Sequence, residues 1–254
     1  MADELVRYER KENVAWVTID RPEARNAISR GVRDGFKKCF TEFARDDEAR
    51  VMVLGGTGKV FCAGADLKEM AASGLKVPGA NFFPYLNKNI ITDKPTIAMV
   101  QGGAYGGGFL LAQMCDLVVT EKNAKFAISE ARWGRGAPWA GPLAWLIPPR
   151  VAIELLVTAE PISAKRAHEI GLVNRVVEES ELRNETARLA NTIARNAPLS
   201  VRAGKAMVYE SLGQSFLGSL ERGEKLFEKP YLSEDAQEGP KAFKEKRDPV
   251  WKGR

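Results

Sequence analysis

Residues 96–120 read TIAMVQGGAYGGGFLLAQMCDLVVT. TIAMV is an apolar, partly β-branched run that stops at Gly102 and Gly103. Gly106, Gly107 and Gly108 then open into FLLAQM, and DLVVT returns to strand character. Strand, glycine turn, helix and strand in direct succession predict an α/β core. Glycine lets the main chain adopt conformations closed to other residues and lets a ligand approach it closely, and a helix opening at Gly107 aims its positive end outward.

The same grammar extends in both directions. Downstream, KFAISE at 125–130 reads as another strand. Upstream, VFCAGADLKEM at 60–70 reads as short strand, loop and helix, and VMVLG at 51–55 as a strand. Before it a helix capped by Ser29 is expected, with Ile28, Val32, Phe36, Phe40 and Phe43 at three- and four-residue spacing. DRPEARNAIS is a loop. From Leu5 to Ile19 residues alternate around a polar Lys11-Glu12-Asn13 break, with Val14 and Trp16 on one face and Ala15, Val17 and Ile19 on the other, which predicts a hairpin. Gly74, Pro78, Gly79 and Pro84 mark 73–84 as a flexible surface loop near whatever the glycines bind. After Val177 the pattern is helical, at about 181–196, 198–212, 215–229 and 233–246, with Pro198 at a helix start. Apolar Leu212, Phe216, Leu217, Leu220, Leu226 and Phe227 in that tail suit oligomer contacts.

At 254 residues, 44% hydrophobic and 28% charged, the chain can bury a sizeable core, which excludes disorder, collagen and a mini-scaffold. No apolar run approaches the roughly 20 residues of a bilayer span, and the start MADELVRYERKE is charged, so a soluble cytoplasmic protein is expected. Cys39, Cys62 and Cys115 lie far apart without a CxxC and read as core thiols. One histidine, His168, leaves a histidine metal cluster short of ligands, so no metal site is suggested. A formal charge of +5 suits an anionic ligand such as a phosphorylated cofactor but falls short of a dedicated nucleic-acid binder.

Gly64 in FCAGADL and the glycines of QGGAYGGGF both free backbone N–H groups, and together they could hold an oxyanion between two amides. Neither a Walker motif nor a strand-GxGxxG-helix fingerprint is satisfied, so phosphate cradling is not the first reading. Asp66 is well placed as the cap of a helix beginning near Leu67, Asp116 opens the strand DLVVT and suits bonds to turn amides, and His168 in its helix reads as structural.

FCAGADLKEM, KPTIAMVQGGAYGGGFLLAQMCDLVVTEKNAKFAISEARWG and ISAKRAHEIGLVNRVV, in this order, resemble the enoyl-CoA hydratase/isomerase (crotonase) family, supported by VTIDRPEARNAIS and GPKAFKEKRDP. The resemblance implies a spiral of ββα units over 1–195 holding an acyl-CoA site. It implies a helical region over 196–254 that makes homotrimers, often paired into hexamers. It puts the two oxyanion-hole amides on Ala65 and Gly107. Of the family's two glutamates, Leu110 stands at the first position and Glu130 at the second, which leaves Glu130 as the single proton-transfer group. An apolar wall at Leu110 should raise its pKa by desolvation.

The acyl group is expected to meet Ala63, Asp66, Leu67, Leu110, Trp133, Pro138 and Trp139. The segment GRGAPWAGPLAWLIPPR, 134–150, departs from the family pattern, and Trp133, Trp139 and Trp145 suggest a wall for a flat or cyclic acyl group. Coenzyme A, as part of the substrate and with no further cofactor, is expected at Arg25, Lys68, Phe243 and Lys246, the last two from a neighbouring subunit. Hydration or its reverse is the first reading and Δ3,Δ2-enoyl-CoA isomerisation the second. A different class remains in RNA binding through Arg30, Arg33, Lys37 and Lys38, or a catalytically silent homologue.

Overall fold

The computed structural model describes residues 4–73, 77–79 and 81–254. Part of the expected 73–84 loop, residues 74–76 and 80, lies outside the described residues. The chain opens with β1 (Val6–Lys11) and β2 (Val14–Ile19), antiparallel from Val6 opposite Ile19 to Lys11 opposite Val14. The alternation is as expected: Ala15, Val17 and Ile19 enter the main core, while Val14 joins a second cluster with Trp16 packed beside it.

The first helix, α1 (Arg30–Arg45), begins where Ser29 Oγ accepts the Val32 N–H at 3.3 Å, a cap worth about 1 kcal/mol. It buries Val32, Phe36, Cys39, Phe40 and Phe43, with Phe36 stacked on Phe40 at 5.1 Å. Ile28, which the spacing assigns to the same stripe, precedes the cap and instead forms a bridge with Ala65.

Then come β3 (Val51–Gly56), α2 (Leu67–Ser73), β4 (Thr96–Val100), β5 (Gly103–Tyr105), α3 (Gly107–Gln113), β6 (Leu117–Glu121) and β7 (Lys125–Ala127). They are followed by α4 (Leu143–Leu146), α5 (Pro149–Thr158), β8 (Ile162–Ser163), α6 (Ala164–Glu169), β9 (Arg175–Val177) and α7 (Leu182–Ala194). The main sheet runs β1-β2-β3-β4-β6-β9, parallel from β2 onward, and β5, β7 and β8 form a smaller sheet. The inner strands carry apolar side chains on both faces because both are covered. The α1 stripe lies on one side in the main core, and α7 packs across β2, β3, β4 and β6 on the other.

The short strand expected at the start of 60–70 is instead an extended segment with isolated bridges, Cys62 to Ala104 and Ala65 to Ile28, before the expected helix. Its backbone is divided between two neighbours and has no continuous partner. All three cysteines are free and buried. His168 sits in α6 with Nδ1 at 2.9 Å from the Val173 carbonyl, a structural setting.

After α7 the chain is helical: α8 (Pro198–Ser211), α9 (Phe216–Tyr231) and α10 (Glu234–Glu245). Lys205 Nζ and the Tyr209 hydroxyl both reach Asp116, whose carboxylate also takes the Thr96 N–H at 2.7 Å, so one acid pins α8 to the start of β6. The last residues return to the beginning of β3, where Arg50 donates to the Trp251 carbonyl and Trp251 Nε1 to that of Arg195. Among the described residues no helix is long and apolar enough to cross a membrane.

Candidate active site

Three segments meet beyond the ends of β3 and β4. Phe61 N–H donates to Gln101 O at 2.8 Å, Cys62 N–H to Gly103 O, and Tyr105 N–H to Cys62 O at 3.0 Å, joining residues 61–62 to the turn that precedes α3. On the other side Ala63 N–H donates to Arg25 O, Ile28 N–H to Gly64 O at 2.8 Å, and Asp66 N–H to Ile28 O. Asn26, buried and left-handed (φ 55°), holds this corner. Its Oδ1 accepts the Arg21 N–H, and its Nδ2 donates to the carbonyls of Thr57 and Val60. Sequence reading missed Asn26; the signal available was a turn-forming amide just before a helix cap.

This network fixes the direction of two other amides. The Gly64 carbonyl and the Ala65 N–H belong to one planar peptide and point opposite ways. Because that carbonyl faces Ile28, the Ala65 N–H faces away from it, toward the turn at 105–107. Likewise the Gly106 carbonyl accepts the Leu110 N–H along α3, so the Gly107 N–H points out of the helix start. A Cβ on Gly64 would lie 3.4 Å from Gly107 N, and one on Gly107 would lie 3.7 Å from Ala65 N, so the two donors are neighbours. Among the described residues neither N–H meets an acceptor within the chain. An oxyanion between them would receive two charge-assisted hydrogen bonds.

Glu130 stands beside this pair. Gly106 adopts a positive φ of 51°, and a Cβ there would come within 3.2 Å of Glu130 Oε1, so glycine leaves the carboxylate its place. Glu130 opens a one-turn 3-10 helix, Glu130–Trp133, without acting as its side-chain cap, and its Oε2 is buried with no partner. Burial raises its pKa above the ordinary carboxylate value, while its own backbone amide and the Trp139 indole draw it partly back. Leu110, buried on the first turn of α3, supplies an apolar side chain at the position of the family's first glutamate.

Asp66, expected both as cap and as pocket residue, is engaged within the chain. It accepts the N–H groups of Lys68 and Glu69 and pairs with Arg21 at 2.7 Å, and that bond to Arg21 leads in holding its pKa low. Ala63 is half-buried with its N–H spent on Arg25, and Leu67 is exposed.

The expected wall of three indoles does not form. Trp139 packs on Phe109 at 6.0 Å between ring centroids, whereas Trp133 is 60% and Trp145 67% exposed. Proline and glycine break residues 130–146 into three short turns, and such a chain has no common face to carry all three rings. Pro138 opens the middle turn, Pro138–Ala140.

Arg25, left-handed at φ 51°, and Lys68 are exposed near Ala63 and Asp66. Phe243 is 88% exposed, and Lys246 closes α10, which is anchored through Asp235 and the Trp251 region where β3 begins rather than where it leads to the site. On α1 three of the four basic residues are paired within the chain: Arg33 with Glu69, Arg30 with Asp34 and Lys38 with Glu4.

Residues 9–254 match the enoyl-CoA hydratase/isomerase family. The chain belongs to that family. Relatives include the carnitinyl-CoA dehydratase of Salmonella paratyphi A, 41% identical over 253 residues that cover 94% of each chain. Among solved structures, the enoyl-CoA hydratase of Mycobacterium tuberculosis H37Rv is similar at 35% identity with a TM-score of 0.89, covering 99% of this chain and 100% of that one. That of Mycobacterium marinum follows at 34% and 0.88, covering 99% and 100%. The architecture is therefore the crotonase spiral with helices at its C-terminal end, and the protein is an enoyl-CoA hydratase/isomerase family enzyme.

Proposed function

We propose that this crotonase-family enzyme adds water across the double bond of an enoyl-CoA thioester, or removes it from the 3-hydroxyacyl product, with Glu130 as its only proton-transfer side chain. One observation carries the reading: two adjacent unpaired amides, Ala65 and Gly107, beside a buried carboxylate with a raised pKa.

In the hydration direction Glu130 takes a proton from water as the water oxygen bonds to C3. The double-bond electrons shift toward the thioester, and the developing oxyanion is held by the two N–H groups. The Glu130 acid then returns its proton to C2, so hydroxyl and hydrogen from one water are accounted for. Fixed donors at the oxygen where charge develops are worth about 10² to 10³ in rate apiece. Elimination is the same path reversed, and the dehydratase named among the relatives supports it.

Isomerisation is the second reading, and the apolar Leu110 favours it, because moving a double bond needs one proton shuttle and no bound water. Coenzyme A is assigned to Arg25 and Lys68, and to Phe243 and Lys246 of a neighbouring subunit in a cytoplasmic trimer or dimer of trimers, with the three cations suited to its phosphates. The exposed apolar row Phe216, Leu217 and Leu220 supports such assembly.

Incubation with straight, branched, cyclic and aromatic enoyl-CoAs in heavy water tests the reaction. Incorporation of solvent oxygen at C3 marks hydration, and proton exchange with double-bond movement marks isomerisation. Glu130→Gln should lower kcat by about 10² to 10⁴. Equal turnover by wild type and variant would refute the assignment.

A further inference from the structure

The oxyanion amides sit at the start of α3, but a second orphaned polar group lies at its other end. Gln113 ends α3, seven residues after Gly106, which is two helical turns or roughly 10 Å on the same side of the helix. It is 8% exposed. Its Nε2 donates to the Trp139 carbonyl at 3.0 Å, which fixes which way the amide faces, and its Oε1 is buried without a partner. Trp139 thus touches both groups: its carbonyl holds the Gln113 amide, and its indole bonds the Glu130 carboxyl. The half-buried phenol of Tyr85 stands against the Gln113 amide. The surroundings are otherwise apolar, namely Leu110, Phe109 and the Trp139 ring. A bare amide oxygen among such groups is costly unless a ligand supplies a donor.

We infer that Gln113 and Tyr85 form a polar subsite two turns along α3 from the oxyanion amides, built for a short acyl chain that ends in a hydroxyl. The inference rests on the enoyl-CoA reading for the placement of the thioester near Ala65 and Gly107. The donor set selects the group. Gln113 Oε1 can only accept, so the ligand must donate. Tyr85 both donates and accepts. A carboxylate would face the lone pairs of Gln113. An ammonium would need a counter-charge, and Asp116, three residues further along the chain, is already held by Lys205, Tyr209 and Thr96. A hydroxyl answers both partners.

Binding of saturated, unreactive CoA esters tests this without requiring turnover, so its outcome is separate from that of the proposed reaction. Isothermal titration would compare ω-hydroxyacyl-CoAs of graded length with alkyl isosteres in which the hydroxyl is replaced by methyl. At one length the hydroxyl ester is expected to bind at least about tenfold more tightly, the margin of one well-made buried hydrogen bond. Gln113→Leu should abolish that preference while leaving or improving the alkyl ester. Tyr85→Phe, which removes one oxygen and keeps the ring, should reduce the preference should the first variant fail to fold. Equal or tighter binding of the alkyl esters at every length would overturn the inference and mark the subsite as a water site. Parallel weakening of both esters in Gln113→Leu would also overturn it, leaving Gln113 as a support for Trp139 only.

Discussion

Glu130 is held in an environment that disfavours its charge, and the consequence for pH follows from the direction of that shift. Burial raises its folded-state pKa above the unfolded value, so the native chain holds this proton more tightly. The stabilising contribution of protonation is complete below the ordinary carboxylate range and is lost as pH rises through the folded pKa. Glu130→Gln, neutral at every pH, is therefore expected to raise the Tm relative to wild type at neutral pH. The gap should close in acid, as thermal melts across a pH series would show. In wild type the acid limb of kcat/KM should fall above the ordinary carboxylate range, and a limb at that ordinary value would contradict the burial argument. Glu130 was legible four residues after Phe126 in KFAISE. Gln113 was not, because a glutamine inside FLLAQM acquires meaning only when the Trp139 carbonyl arrives from a distant turn.

At the scale of elements, the site depends on how closely α3 rests on the extended segment before α2. A Cβ at Gly108 would lie 2.2 Å from the Cys62 carbonyl oxygen, a backbone atom that itself accepts from Tyr105. Gly108→Ala should accordingly force α3 away, costing about 1 to 3 kcal/mol in denaturant unfolding. The same displacement separates the Gly107 and Ala65 donors, so kcat should fall more than KM rises. Stability and kcat both unchanged would mean that the contact is not tight. The helices and most strands were readable from periodicity, since each carries its own apolar stripe. The short strand expected at the start of 60–70 and the indole wall expected around 134–150 fail for one reason: neither stretch has a periodic partner, so what they become depends on which neighbours take up their backbone groups.

Across the whole molecule, the C-terminal helices leave Phe216 79%, Leu217 68% and Leu220 52% exposed, more apolar surface than a lone chain ordinarily shows in one row. If the proposed trimer or dimer of trimers forms through this row, Leu217→Asp is expected to shift the mass in light scattering to that of a monomer. Lys246→Ala should raise KM for acyl-CoA by up to about fivefold, the worth of one exposed ion pair, with kcat unchanged. The sequence by itself determined the α/β order, the hairpin faces, the helical tail, the glycine turns and the lone glutamate, because each is written in residues close along the chain. Only the tertiary structure decided that the Ala65 and Gly107 amides are adjacent and unspent, that Asp66 is consumed by Arg21, and that Trp139 rather than Trp133 or Trp145 stands at the acid. Those outcomes turn on which distant backbone group reaches a donor or acceptor first, and local pattern carries no record of that competition.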